Sequence, residues 1–86
     1  MTWEDKTEMI RLLNNRELDK AVEMFTKETD WDDQALTMFI FGFPLTEYKV
    51  LEPIKDRLLS AKTNDFRTAM RLAYLEDMFN GKEFPK

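Results

Sequence analysis

The run Leu36–Leu45, with the sequence LTMFIFGFPL, places three of the chain's seven phenylalanines within five residues. A segment this apolar is buried either in the protein's own core or against a partner. The aspartates before it and the Gly-Phe-Pro sequence after it favour a capped helix over Trp31–Phe41, most of which is core. Phe43 and Leu45 follow the stop signal, so they remain candidates for the surface.

The composition points to helices. The chain has 86 residues with only two glycines and three prolines, which disfavours an all-β fold with its many turns. Apolar residues make up 43% and charged residues 35%, as in folded globular proteins. We predict an all-α fold: a compact bundle of four to five short helices around a central apolar helix at residues 31–41. Residues 1–81 are expected to form a single helical domain and residues 82–86 a short C-terminal tail.

Capping signals predict five helical segments. The predicted N-caps are, in chain order, Thr2, Asn15, a residue within Thr29–Asp33, Thr46 and Asn64. Gly42 and Gly81 are expected to end the third and fifth segments. Pro53 leaves two alternatives open: a kink in one helix, or a turn over Glu47–Glu52 followed by a new helix that begins at Pro53.

The fifth segment carries two apolar stripes with helical spacing. One stripe consists of Phe66, Ala69, Met70 and Ala73. The neighbouring stripe consists of Leu72, Leu75 and Phe79.

Several classes of chemistry require residues that the chain lacks. It contains no cysteine and no histidine, which excludes disulfides, thiolate catalysis and nucleophile–histidine triads. The acidic group Glu28, Asp30, Asp32 and Asp33 suggests a hard cation, but the glycine and final glutamate of an EF-hand loop are missing. Stabilisation of a helix start is the better interpretation. We therefore predict no metal, no cofactor and no enzymatic activity, with a carboxylate-only enzyme as the second alternative.

Charge and hydropathy bear on location and partners. No stretch approaches the roughly 20 apolar residues that span a bilayer, and the charged N-terminal sequence lacks a signal-peptide core, so we expect a cytoplasmic protein with no membrane partner. The net charge is −4: residues 1–43 carry ten acidic and five basic residues, and residues 44–86 carry seven and eight. An acidic chain makes nucleic acid an unlikely partner.

The basic residues of the second half leave one nucleic-acid alternative. Asn64, Arg67, Thr68 and Arg71 could line a recognition helix at 64–80 of a helix-turn-helix-like DNA-binding regulator. Against this interpretation, the preceding turn lacks the usual glycine, and the acidic residues Glu76 and Asp77 follow on the same helix.

The leading hypothesis is a small protein-interaction module, namely an adaptor, inhibitor or regulator of a larger protein. Six methionines and eleven aromatic residues are a rich count for this length, and both types are common at partner-binding faces. A homodimer is a further candidate, because two copies share a larger core. The predicted partner-binding residues are the aromatics nearest helix ends or loops: Trp3, Trp31, Phe43, Tyr48 and Phe84.

Overall fold

The computed structural model describes residues 1–81, and within them it contains helices and no strand. In chain order the elements are α1 (Trp3–Asn14), α2 (Leu18–Lys27), α3 (Asp33–Gly42), a 3-10 segment (Leu45–Ile54), α4 (Lys55–Leu59) and α5 (Phe66–Phe79). This confirms the predicted all-α bundle. The predicted tail at 82–86 lies outside the described residues. No helix among residues 1–81 is long and apolar enough to cross a membrane.

Three helices begin at a side chain that accepts a backbone hydrogen bond. Thr2 accepts from the amide of Asp5 at 3.1 Å, which confirms the predicted start of α1. Asp32, within the predicted range, caps α3. The cap of α5 is Asp65 rather than the predicted Asn64, and its carboxylate accepts from the Thr68 amide at 2.8 Å. A carboxylate is the better acceptor here because it also complements the positive end of the helix dipole.

The predicted cap at Asn15 is wrong because this residue belongs to the end of α1. Arg16 follows in the left-handed conformation with φ of 61°. Its amide donates to the carbonyl of Leu13 at 3.2 Å, and the amide of Glu17 donates to the carbonyl of Leu12 at 2.9 Å. These two bonds form a Schellman motif, which closes α1 and sets the turn into α2.

Gly42 is the last residue of α3, so it ends that helix as predicted, but it does not adopt the left-handed conformation of a glycine that follows a helix. Its missing side chain matters for packing. A Cβ atom at this position would lie 2.9 Å from Cδ1 of Leu13, so glycine allows α1 and α3 to approach closely. Gly81 adopts the left-handed conformation after α5, with φ of 72°, and confirms the predicted end of that helix.

Between α3 and α4, the chain neither forms one helix with a kink at Pro53 nor begins a new helix at Pro53, the two alternatives that the sequence left open. Pro44, not Thr46, precedes the 3-10 segment, and Pro53 lies inside that segment near its end. The α-helix α4 then begins at Lys55. The proline therefore belongs to the tighter segment and precedes the new helix by two residues, because its missing amide cannot take part in an α-helical ladder.

The core is centred on α3, which packs between α1 and α5, while α2 packs against α1 and the 3-10 segment. Its largest side chains are stacked aromatic rings. Phe25 lies between Trp31 and Phe39, with ring centroids 4.2 Å from each. Phe39 in turn contacts Phe43 at 5.5 Å. The apolar run Leu36–Leu45 therefore contributes Leu36, Phe39, Ile40 and Phe43 to the core, while Phe41 is exposed.

Candidate functional site

The five predicted partner-binding aromatics do not form one surface. Trp3 is 66% exposed on α1. Phe43 is only 1% exposed because it packs beneath Phe39, so its prediction as a surface residue is wrong. Tyr48 is half-buried with its ring edge against Phe79 at 5.1 Å. Phe84 lies outside the described residues.

Trp31 is held in place on both faces and at its polar edge. One face stacks on Phe25, and the guanidinium carbon of Arg57 lies 3.9 Å from its ring centroid. The indole Nε1 donates to the carbonyl of Phe25 at 2.9 Å. These contacts make Trp31 a lid over the core, with its hydrogen-bonding capacity already used.

The residues of the nucleic-acid alternative also separate. Thr68 is fully buried, and its hydroxyl lies within hydrogen-bond distance of Asp65 and of the Thr37 hydroxyl. Arg71 is half-buried and donates to the carbonyls of Ile40 at 3.2 Å and Phe43 at 3.3 Å. Asn64 and Arg67 are exposed. Two of the four predicted contacts are thus committed to holding α5 against α3.

Two of the acids that suggested a cation have structural partners instead. Asp32 accepts from the amide of Ala35 at 2.7 Å and forms an ion pair with the buried Lys6 at 3.2 Å. The amide hydrogen bond, followed by Lys6, lowers the pKa of this carboxyl below its ordinary value. Asp33 accepts from the backbone amide of Asn64 at 3.2 Å. Among residues 1–81, no group of three or more acidic residues is arranged to hold a metal ion.

Among residues 1–81, three of the five exposed large apolar side chains lie on the side of α5 that faces away from the core. Phe66 is 76%, Met70 58% and Tyr74 45% exposed, and Ala69 and Ala73 between them are exposed as well. We call these five residues the outer α5 face. Successive residues of a helix turn by about 100°, which places the outer α5 face opposite the buried Leu72 and Leu75.

Phe41 extends this surface onto α3. It is 44% exposed, although it lies in the most apolar helix of the chain. The guanidinium carbons of Arg67 and Arg71 lie 5.8 Å and 5.2 Å from its ring centroid. These cation–π contacts connect Phe41 to α5, so that one edge of the apolar surface is basic.

A groove runs along the same edge of α5 and continues the apolar surface. Its volume is about 490 Å³. The lining residues come from α5 and the start of the 3-10 segment: Leu45, Thr46, Met70, Arg71, Tyr74 and Met78. Because Met70 and Tyr74 belong both to the groove and to the outer α5 face, a bound side chain could enter the groove from that face.

Comparison with protein-family models, curated proteins and solved structures finds no match. The candidate function therefore depends on the geometry of the molecule. The signal for the outer α5 face was present in the sequence, as the stripe of Phe66, Ala69, Met70 and Ala73. Periodicity alone does not show which of two apolar stripes a helix turns inward.

Proposed function

We propose that this chain is a small protein-interaction module, of the adaptor, inhibitor or regulator type, that binds another polypeptide through the outer α5 face and Phe41. The observation that supports this is the joint exposure of Phe66, Met70, Tyr74 and Phe41 on one side of the molecule. Large apolar side chains exposed together are costly in water and mark interaction surfaces. Aromatic residues and methionine are also enriched where proteins meet.

The size of the surface fits a modest interface. A fully exposed large side chain presents about 200 Å², so the exposed fractions of the four residues correspond to roughly 450 Å² of apolar area. Burial of this area is worth about 11 kcal/mol at about 25 cal/mol per Å². Association itself costs roughly 4–15 kcal/mol. The face therefore supports reversible binding rather than a permanent complex.

Arg67 supplies the polar edge of this surface. Arg67 is exposed, whereas the neighbouring Arg71 donates hydrogen bonds to the backbone carbonyls of Ile40 and Phe43. A charge at the rim mainly sets the orientation and the rate of encounter, while apolar side chains at the centre supply affinity. We assign Met70 and Phe66 the anchoring role and Arg67 the orienting role.

The test is photo-crosslinking in the cell that produces the protein. A photoreactive amino acid replaces Ala73 in one chain and Asn14, which is also exposed and lies at the end of α1, in a control chain. Covalent capture of a polypeptide, identified by mass spectrometry, from position 73 and not from position 14 supports the proposal. Equal capture from both positions, or none from position 73, contradicts it.

A further inference from the structure

We infer that the polypeptide bound on the outer α5 face is a second copy of this chain, with the two α5 helices antiparallel and the two-fold axis crossing them between residues 71 and 72. The inference rests on the proposed function, since it names the occupant of the same surface. It is carried by three properties of the face: the order of large and small side chains, the order of charges and the available area.

The order of large and small side chains is self-complementary in the antiparallel arrangement. With the axis at this position, Met70 lies at the same height along the helix pair, that is, in the same layer, as Ala73 of the second copy. Tyr74 likewise lies in the same layer as Ala69 of the second copy. Met70 and Tyr74 each therefore meet an alanine, and the two-fold axis makes each of these contacts twice. Facing large and small residues in this way allows two helices to interdigitate at an interaxial distance of about 8–10 Å.

A parallel arrangement lacks this complementarity. Each residue of α5 would then lie in the layer of its own copy, so that Met70 would meet Met70 and Ala73 would meet Ala73. The large pair would hold the helices apart and leave the alanine layer unfilled, which loses contacts.

The charges along α5 favour the same orientation. Arg67 and Arg71 lie in its first half, and Glu76 and Asp77 lie in its second half. Antiparallel pairing brings the basic half of each copy to the acidic half of the other. Phe66 and Arg67 then lie at the level of Asp77 and Glu76 of the second copy. The helix dipoles of antiparallel neighbours are opposed as well, which is the favourable arrangement.

The area indicates a concentration-dependent dimer. Phe66, Met70 and Tyr74 of the outer α5 face, together with Phe41 beside it, present roughly 450 Å² per copy, or about 900 Å² for the pair before the alanines and the rim are added. Specific interfaces begin at about 1,000–1,200 Å² in total, and those at this lower limit bind weakly. We therefore expect a dissociation constant on the order of 10 μM.

The first experiment is sedimentation velocity of the full chain from about 1 μM to 500 μM. The wild type is expected to pass from monomer to dimer across this range. Met70→Glu places two carboxylates in the interface and is expected to weaken dimerisation by at least about 100-fold. Trp3→Glu is the matched control, because Trp3 is as exposed as Met70 but lies on α1. Circular dichroism checks that both variants keep the helical fold.

The second experiment tests whether the two α5 helices are antiparallel. Because the chain has no natural cysteine, only the introduced cysteines can form disulfides. Chains with Phe66→Cys are mixed with chains with Asp77→Cys under mild oxidation. The antiparallel arrangement predicts a disulfide between the two kinds of chain. It predicts no Phe66→Cys homodimer, because the two copies of position 66 lie about 16 Å apart along the helix axis. A parallel dimer gives the opposite result.

A wild type that stays monomeric at 500 μM overturns the inference, as does dimerisation that Met70→Glu leaves unchanged or a Phe66→Cys homodimer. The failure of the inference and that of the proposed function are distinguishable. If the chain is monomeric but position 73 captures a different protein in the photo-crosslinking experiment, the proposed function stands and the second copy is excluded. If position 73 captures nothing, both fail.

Discussion

The ring of Phe39 in α3 stacks on the ring of Phe25 in α2, with centroids 4.2 Å apart and planes inclined by 5°. This contact joins two helices whose backbones are not close neighbours elsewhere in the bundle. Trp31 and Phe43 continue the stack at its two ends. One row of rings thus links α2, the loop before α3, α3 itself and the chain that follows it.

Phe39→Ala is expected to destabilise the protein more than any other single truncation on α3. The ring is fully buried, and its removal leaves a cavity between Phe25 and Phe43. We expect a loss of about 3–5 kcal/mol in the free energy of unfolding, measured by urea denaturation. Phe41→Ala, two residues along and 44% exposed, should cost less than about 1 kcal/mol. Equal losses in the two variants would show that the ring stack is not the centre of the core.

Asp32 is expected to contribute to stability in two ways, which two substitutions separate. Asp32→Ala removes the cap of α3 and leaves the buried Lys6 with Gln34 as its remaining side-chain acceptor. We expect a cost of about 1–2 kcal/mol at pH 7. Asp32→Asn keeps a good cap and loses only the charge, so it should cost less. The order of the two losses in urea denaturation is the test, and an Asn variant as unstable as the Ala variant contradicts the capping role.

The same carboxyl gives a pH dependence of defined sign. Hydrogen bonding from Ala35, with Lys6, lowers the pKa of Asp32 in the folded state below its ordinary value of 3.8. The folded protein therefore binds the proton less readily than the unfolded chain. The contribution of Asp32 is fully present above about pH 4–5 and is lost as the pH falls through the lowered folded-state pKa. The Asp65 carboxyl, whose pKa is lowered by hydrogen bonds from Thr68, acts in the same direction.

Unfolding of the wild type and of Asp32→Asn between pH 7 and pH 2 measures this effect. The stability difference between the two proteins should shrink as the pH falls below about 4, because the wild-type carboxyl then becomes neutral like the amide. A difference that grows on acidification would contradict the assigned direction of the pKa shift.

Arg16→Gly is expected to stabilise the protein. Arg16 has φ of 61°, a conformation that costs a residue with a Cβ atom about 1 kcal/mol or more relative to glycine. Glycine also loses more chain entropy on folding, so the expected net gain is about 0.5 kcal/mol in thermal or urea unfolding. Asn15→Gly is the matched control, because Asn15 has φ of −86° and should lose stability on the same substitution. A destabilised Arg16→Gly variant would mean that the side chain of Arg16 matters more than its backbone conformation.

The sequence was sufficient for the fold class and for several helix ends, because capping and chain reversal depend on local chemistry. Thr2 and Gly81 acted as their sequence context predicted. Asn15 and Asn64 did not: the N-cap position of α2 is Glu17, which makes no side-chain capping bond, and Asp65 caps α5. Where several nearby polar residues could each cap a helix, the packing of the whole helix decides which of them does so.

The exposed surface was the part that local reasoning could not predict. Phe43 follows a stop signal and yet fills the core, because the Phe39 ring beside it provides a buried contact. Phe66 and Met70 have helical spacing and yet face outward, because α5 has a second stripe that turns inward. On the buried side of α5 lies Thr68, although a polar residue taken by itself would be expected on the surface.

Thr68→Val tests whether that buried hydroxyl fixes the orientation of α5. Valine keeps the shape but removes the contacts of the hydroxyl with Thr37 and Asp65. We expect a loss of about 1–3 kcal/mol, because the hydroxyl of Thr37 is left without this partner in a half-buried site. Thr68→Ser keeps the hydroxyl and should lose less despite its smaller size. A valine variant as stable as the wild type would show that apolar packing alone orients the helix.

Residues on the exposed side of α5 can be substituted without altering the contacts made by its buried side. Leu72, Leu75 and Thr68 secure the helix to the bundle, while the outer α5 face adds little buried area to the monomer. Substitutions on the outer α5 face can therefore change the surface of the molecule without removing the contacts that hold α5 to the bundle. Among residues 1–81, three of the five exposed large apolar side chains lie on this one helix. This makes the bundle a practical scaffold on which new binding specificities could be selected by randomising only α5's solvent side.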